Sequence, residues 1–315
     1  MGVSKFNVVQ ADQFQGSQAD ASPFGKIWYV DVTNGNDNNL GDGPNAGEAF
    51  ASIGAAISAA VATRGDTVVI APGTYTITSA LAPKAFMTFK AAVNNPQAPS
   101  VSIRGNIADL VTVDVDGVRF VGVEFRATGT TVRELVKLAD TTAITGGVVF
   151  EDCTFHGADT IPLVAGLSGV AGIWMKDASN AVTGLVVRRC VFRDLGKTPI
   201  WTGAQGLPYA KIEDNTFAID TPSGMGINIA DTSAFGTGKG YVIRNNEFIG
   251  PNSTTPNTVA IVIAGTKNTT AAGMIRNNFF AFCSTLSITQ GKLEASVINN
   301  YNGNVAGGVL VDPAA

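Results

Sequence analysis

Histidine is almost missing from this chain: its 315 residues include one, His156. With one imidazole and three cysteines (Cys153, Cys190 and Cys283), a zinc centre lacks its usual ligand set, and no cofactor or metal is expected. An odd cysteine count without paired spacing is not a disulfide framework. Charge is scarce as well, at 15% of residues, where soluble domains average about a quarter. The net charge of −4 comes with no basic run, which argues against a nucleic-acid partner. No apolar run reaches the ~20 residues of a membrane span, so no membrane partner is expected either. The opening MGVSKFNVVQADQFQGSQAD lacks the apolar core of a signal peptide. Phe6 stands where a myristoylation motif needs a hydroxyl residue.

What the chain has is repetition. The phrases VVFEDCTF (148–155), LVVRRCVF (185–192), AKIEDNTF (210–217), YVIRNNEF (241–248) and GMIRNNFF (273–280) align, with GVRFVGVEF (117–125) a looser first member and ASVINNYN (295–302) a last one. Phe125, Phe155, Phe192, Phe217, Phe248 and Phe280 recur at intervals of about 25–37 residues, as in a solenoid with loops of unequal length. A second strand-like phrase precedes most of them, for example LVKLAD (135–140), GIWMKD (172–177) and GINIAD (226–231). Short strands returning at this period, with no helical segment between, predict an all-β parallel β-helix of roughly seven to nine coils.

Stacked coils lie about 4.8 Å apart, so equivalent side chains touch. The phenylalanines then form an internal aromatic stack. Asn215, Asn246 and Asn278 form a ladder at a corner, where Asn tolerates left-handed backbone and each amide can bond the next. Cys153 and Cys190 fill the same column in earlier coils and read as buried thiols, with a disulfide or redox pair as the other reading. Two positions earlier stand Glu151, Arg188, Glu213, Arg244 and Arg276. They read either as a salt-bridge ladder or as a charged groove for an acidic sugar.

Residues 28–75 contain YVDVTNGNDNN, an Ala-Phe-Ala-Ser-Ile helix start and GDTVVIAPGTY. One convincing helix is predicted at about 48–63, with Phe50, Ile53, Ile57, Ala60 and Val61 near one face. This stretch, with the IRNN-x-F coils after it, resembles the opening module of pectin-lyase-like right-handed β-helix proteins, over roughly residues 28–312. The resemblance implies a right-handed solenoid whose short N-terminal helix caps the first coil and shields its open strand edges. It also implies a choice among polysaccharide lyases, glycoside hydrolases, epimerases, phage tailspikes and structural virion proteins, which the fold alone does not make.

The clustered aspartates, Gly-His-Gly and Arg-x-Lys of polygalacturonase-like members are missing here. His156, in TFHGAD, is a candidate general base beside Asp152 or Asp159, or else a surface turn residue. Asp140, Asp177 and Asp231 share one column at strand ends and are the candidate calcium or catalytic set, with turn capping as the alternative. Glu151 or Asp152 could pair with Glu213 or Asp214 as hydrolytic carboxylates. Trp174 and Trp201 could form a sugar platform if exposed.

Residues 1–25 lie outside the repeat and read as an arm that orders against a partner, or as a disordered terminus. Residues 26–315 read as a single β-helix domain. Three functions follow. The first is a non-enzymatic structural protein of a phage virion: a homotrimer decorating or projecting from the capsid, anchored through residues 1–25, assembled in the host cytoplasm. The second is a tailspike-like protein that binds or cleaves host polysaccharide as a lyase or glycoside hydrolase. The third is a cellular carbohydrate-active β-helix protein.

Overall fold

The computed structural model describes residues 25–95, 98–129, 131–157, 170–175, 180–202, 207–219, 225–231, 240–250, 259–265, 273–283, 288–290, 295–302 and 309–310. The expected arm at 1–25 falls almost wholly outside them. Each complete coil contributes one strand to each of three sheets. In one coil these are Val148–Glu151, Thr154–His156 and Ala171–Met175, and the chain then enters the next coil at Val186–Arg188. Equivalent strands pair in parallel and in register from coil to coil. Among the described residues the first and second sheets have ten strands each and the third has seven. The third matches the expected coil number; the first is longer by Ile27–Val30 and Thr67–Ile70 ahead of it and Ala295–Ile298 after it, and the second by Gly73–Thr76 ahead and Tyr301–Asn302 and Val309–Leu310 after. At the far end Val309–Leu310 pairs antiparallel with Tyr301–Asn302.

The core is one continuous cluster from Trp28 to Cys283. Phe125, Phe155, Phe192, Phe217, Phe248 and Phe280 stack along it with centroids 4.5–5.3 Å apart. A parallel column, Phe89, Phe120 and Phe150, packs edge-on against its early members.

The corner between the first and second sheets carries the amide ladder. Asn215 Nδ2 donates to Asn246 Oδ1 (2.9 Å), Asn246 to Asn278 (3.0 Å) and Asn278 to Asn300 (2.9 Å). Each amide also donates to a carbonyl one coil back, such as Ile212 O for Asn246. Cys153 and Cys190 continue the column as free buried thiols, Sγ reaching Phe120 O and Phe150 O. Burial, and next the neighbouring Cys153, push the Cys190 thiol well up. The left-handed residue is not the ladder Asn but the one before it: Asp152, Arg189, Asp214, Asn245, Asn277 and Asn299 have φ of 52–59°. That residue makes the bend, which leaves the next side chain pointing inward to bond its neighbours.

The capping helix covers Ile53–Ala59, well inside 48–63. Asp37 shortens its front by accepting from Ala51 N, Ser52 N and Ser52 Oγ, so that Ser52 becomes the N-cap. Phe50 is drawn instead onto the first strand, its N–H bonding Tyr29 O and its carbonyl accepting from Asp31 N. At the other end Asp66 accepts from Val61 N. Thus the 41–50 loop and the helix together cover the open edge of Ile27–Val30. Among the described residues no helix is long and apolar enough to cross a membrane.

Candidate functional site on the third sheet

In a strand, neighbouring side chains point to opposite faces. Val111, Val136, Ile173, Ile200, Ile227 and Ile261 are in register and buried. The next residues, Thr112, Lys137, Trp174, Trp201, Asn228 and Val262, therefore line the outer face. Lys137, Trp174, Trp201 and Asn228 form a row on four successive strands, about 14 Å long at the ordinary strand spacing. The half-buried indoles lie 4.6 Å apart between centroids at 60°, and Lys197 Nζ sits 5.7 Å from the Trp174 ring. Asn228 is 8% exposed, and among the described residues its Oδ1 has no hydrogen-bond partner.

Beside this row Asp109 and Glu134 face one another across adjacent strands. Burial, and then the hydrogen bond and charge of Asp109, push the Glu134 carboxyl up to about 7, with Lys197 and Lys137 pulling weakly the other way. Lys137 Nζ lies 3.4 Å from Asp109 and 2.9 Å from Asp140. Glu134 thus keeps its proton to near neutrality, with two ammonium groups nearby. The folded chain holds that proton more tightly than the unfolded chain, whose carboxyl titrates near 4.5. Stability from Glu134 is therefore full below 4.5 and is lost as pH rises through about 7. Glu124 and Glu151 are held at about 2, so their contributions change only below 4.5. Glu134→Gln is expected to flatten the stability profile between pH 4.5 and 7, read by urea denaturation across that window. An unchanged slope would show that the Glu134 carboxyl is not held protonated in the folded chain.

The residues singled out in the sequence divide. Trp174 and Trp201 do come together on the surface. Asp140 belongs to the same face, engaged by Lys137. Asp231 closes its strand with its backbone opposite Gly265, and Asp177 lies outside the described residues. Among the described residues no group of three or more His, Cys, Asp or Glu side chains is arranged to hold a metal ion. His156 is neither beside Asp152 nor on the surface. It is 4% exposed on the second sheet, Nδ1 at 3.1 Å from Glu124 Oε1 and Nε2 at 2.9 Å from Asp194 Oδ2. Burial raises the Glu124 pKa, but hydrogen bonds from His156 and Ser102 outweigh it. Asp152 turns the other way, to Arg189 and Asn94. Asp159 lies outside the described residues.

Glu151, Arg188, Glu213 and Arg244 form ion pairs: Glu151 with Arg188 (2.8 Å), Arg119 and Arg189, and Glu213 with Arg244 (2.5 Å). Those carboxylates are engaged by guanidiniums rather than set as a hydrolytic pair. Sequence reasoning missed Asp109, Glu134, Lys137 and Lys197. The available signal was charge inside the otherwise apolar strand phrases of a weakly charged chain.

The fold matches solved structures. A pectin methylesterase from Aspergillus niger aligns with a TM-score of 0.58 at 13% identity over 91% of both chains. A carrot pectin methylesterase aligns at 0.53 and 12% identity over 90% of this chain and 84% of that one. A PL6-family alginate lyase aligns at 0.52 and 13% identity over 87% of this chain, which spans 37% of the lyase. No protein-family model matches the sequence, and no curated protein matches it. The chain therefore has the pectin-lyase-like right-handed parallel β-helix fold, shared with carbohydrate-active enzymes.

Proposed function

We propose that the protein recognises a polysaccharide along the outer face of its third sheet, the second of the three functions weighed above in its binding form. The observation that carries this reading is the row Lys137–Trp174–Trp201–Asn228. Its indoles offer apolar faces to sugar rings, with Lys137 at one end of the row and Asn228 at the other. Its length of about 14 Å suits a short run of sugar units laid along the solenoid axis. The proposal is of binding rather than cleavage. The row itself carries no carboxylate, and Asp109 and Glu134 stand beside it, opposite one another on paired strands.

Affinity electrophoresis through gels containing different neutral and acidic polysaccharides tests this. At least one polysaccharide is expected to retard the protein. Trp174→Ala and Trp201→Ala are each expected to weaken that retardation about tenfold or more, a loss of ~1.4 kcal/mol or above. Retardation by none of them, or equal retardation of the double variant, overturns the reading.

A second reading, a structural protein of a phage particle assembled as a homotrimer, draws on a different observation. Over the last coils the outer surface turns apolar: Phe279, Phe282, Ile298 and Tyr301 are 44–50% exposed, where earlier coils place Glu124, Thr154, Val191, Thr216 and Glu247, mostly polar, in the Phe279 column. Such a patch suits contact with another subunit. Gold-labelled antibody on particles from the source separates the two readings: label spread over heads supports a capsid role, label at tail tips supports glycan recognition, and particles without label remove the virion role.

A further inference from the structure

The outer face of the first sheet holds an open cavity of about 280 Å³, lined by Arg119, Val149, Val186, Arg188, Lys211 and Glu213. We propose that this cavity is a second ligand site, an anion-binding pocket for a phosphate or sulfate group.

The register explains the cavity. Arg119, Val149, Val186 and Lys211 occupy one outward column on four successive strands. Two short side chains between two long cations leave a trough with an apolar floor. Arg188 and Glu213, two residues further along their strands, make one wall.

The electrostatics give the trough its sign. Arg119 and Arg188 are pinned over the nearly buried Glu151, which also takes Arg189. Arg189 holds Asp152 as well, and Glu213 is taken by Arg244. Asp214 is bound by Asn245. Five cations (Arg119, Arg188, Arg189, Lys211 and Arg244) thus face four carboxylates (Glu151, Asp152, Glu213 and Asp214), which leaves one positive charge uncompensated in a chain whose net charge is −4. Among the described residues Lys211 is the cation of this group with no ion pair. The carboxylates hold the two arginines in fixed positions, which lowers the ordering cost of binding. Donors reaching in from three strands suit a tetrahedral oxyanion, which presents oxygens in several directions. The valine floor gives the body of an esterified ligand an apolar surface. This site lies on a different sheet from Trp174 and Trp201, so it stands or falls apart from the proposed glycan row.

Titration of the methyl-labelled protein with inorganic phosphate, glucose 6-phosphate and glucose tests the proposal. The Val149 and Val186 methyl signals are expected to shift with glucose 6-phosphate and not with glucose. Lys211→Met should weaken that response about tenfold or more, while Trp201→Ala leaves it unchanged. If inorganic phosphate binds as well as the ester, the ligand is a free oxyanion; tighter binding of the ester means the floor is used, and the pocket stands in both cases. Equal shifts with glucose, no shift with either phosphate, or an unaltered response in a folded Lys211→Met variant each overturn it.

Discussion

Phe248→Ala is expected to destabilise the protein by about 3–5 kcal/mol, the usual range for removing a fully buried phenylalanine. Its ring lies 4.7 Å from that of Phe217 and 5.3 Å from that of Phe280, both nearly parallel to it. The side of the ring toward the third sheet rests on Gly226. A Cβ there would come within 2.7 Å of Phe248 Cδ1 and of Ala260 O. Gly172 stands in the same relation to the Phe192 ring. The stack is therefore fitted into space that glycine leaves open. With Phe248 shortened, Gly226 has no side chain to move into the gap, so the cavity persists and the loss sits toward the upper part of the range. Phe248→Leu should lose clearly less. Urea denaturation of the three proteins reads the difference, and a loss below about 1 kcal/mol for Phe248→Ala would mean that the stack does not bear on stability.

That column was legible in the sequence for a physical reason. A stacked coil must match its neighbours, so its inward residues repeat, and Phe125 to Phe280 and Asn215 to Asn278 kept their places in the structure. The alternating acids and arginines were legible in the same way as a salt-bridge ladder. The bend was displaced by one residue. RNN holds two adjacent asparagines, and both a ladder and a left-handed corner favour Asn, so the motif alone does not say which is which. The positions that make the bend also include Asp152, Arg189 and Asp214, which carry no common signal. The helix was overextended because its apolar periodicity continues through Phe50 and Val61, whose backbones are claimed by Tyr29 and Asp66.

The outer surface was harder to read, because it depends on register across loops of unequal length. Trp174 and Trp201 could be suspected as a platform from the sequence; that they adjoin on the outer face follows from the pairing of two strands separated by a long connection. Asp109 and Glu134 belong to different coils, and nothing in either local phrase announces the other. His156 shows the same limit: Glu124 and Asp194, which bracket it, come from the coils before and after, while its sequence neighbour Asp152 faces another sheet.

Asp66→Ala is expected to be as damaging as loss of the phenylalanine, through electrostatics rather than packing. Asp66 is completely buried, and it accepts from Lys26 N (2.8 Å), Trp28 Nε1 (3.0 Å) and Val61 N (2.9 Å) and from both Nε and Nη2 of Arg64 (2.6 Å each). The Arg64 side chain is itself only 6% exposed. Alanine would remove the carboxylate that both Nε and Nη2 of the buried Arg64 bind and the acceptor of three N–H groups, a loss of about 3–5 kcal/mol. Asp66→Asn keeps the volume but removes the charge and turns an NH₂ toward donors, so it should recover little. Burial opposes ionisation of Asp66, yet these hydrogen bonds, that of Arg64 foremost, hold its carboxyl well below the ordinary carboxylate range. With its pKa depressed in the folded state, its contribution is full above the unfolded value of 3.8 and fades only as pH falls through the lower folded value. The difference between wild type and Asp66→Asn should therefore be constant from neutrality down to about pH 4 and shrink below it. Asp66 also ties Val61, just past the helix, to Trp28 of the first strand and to Lys26 ahead of it, so the variants should expose the edge of Ile27–Val30. Urea denaturation and light scattering on the same samples read both effects. A stable, non-aggregating Asp66→Ala protein would show that the cap does not depend on this carboxylate.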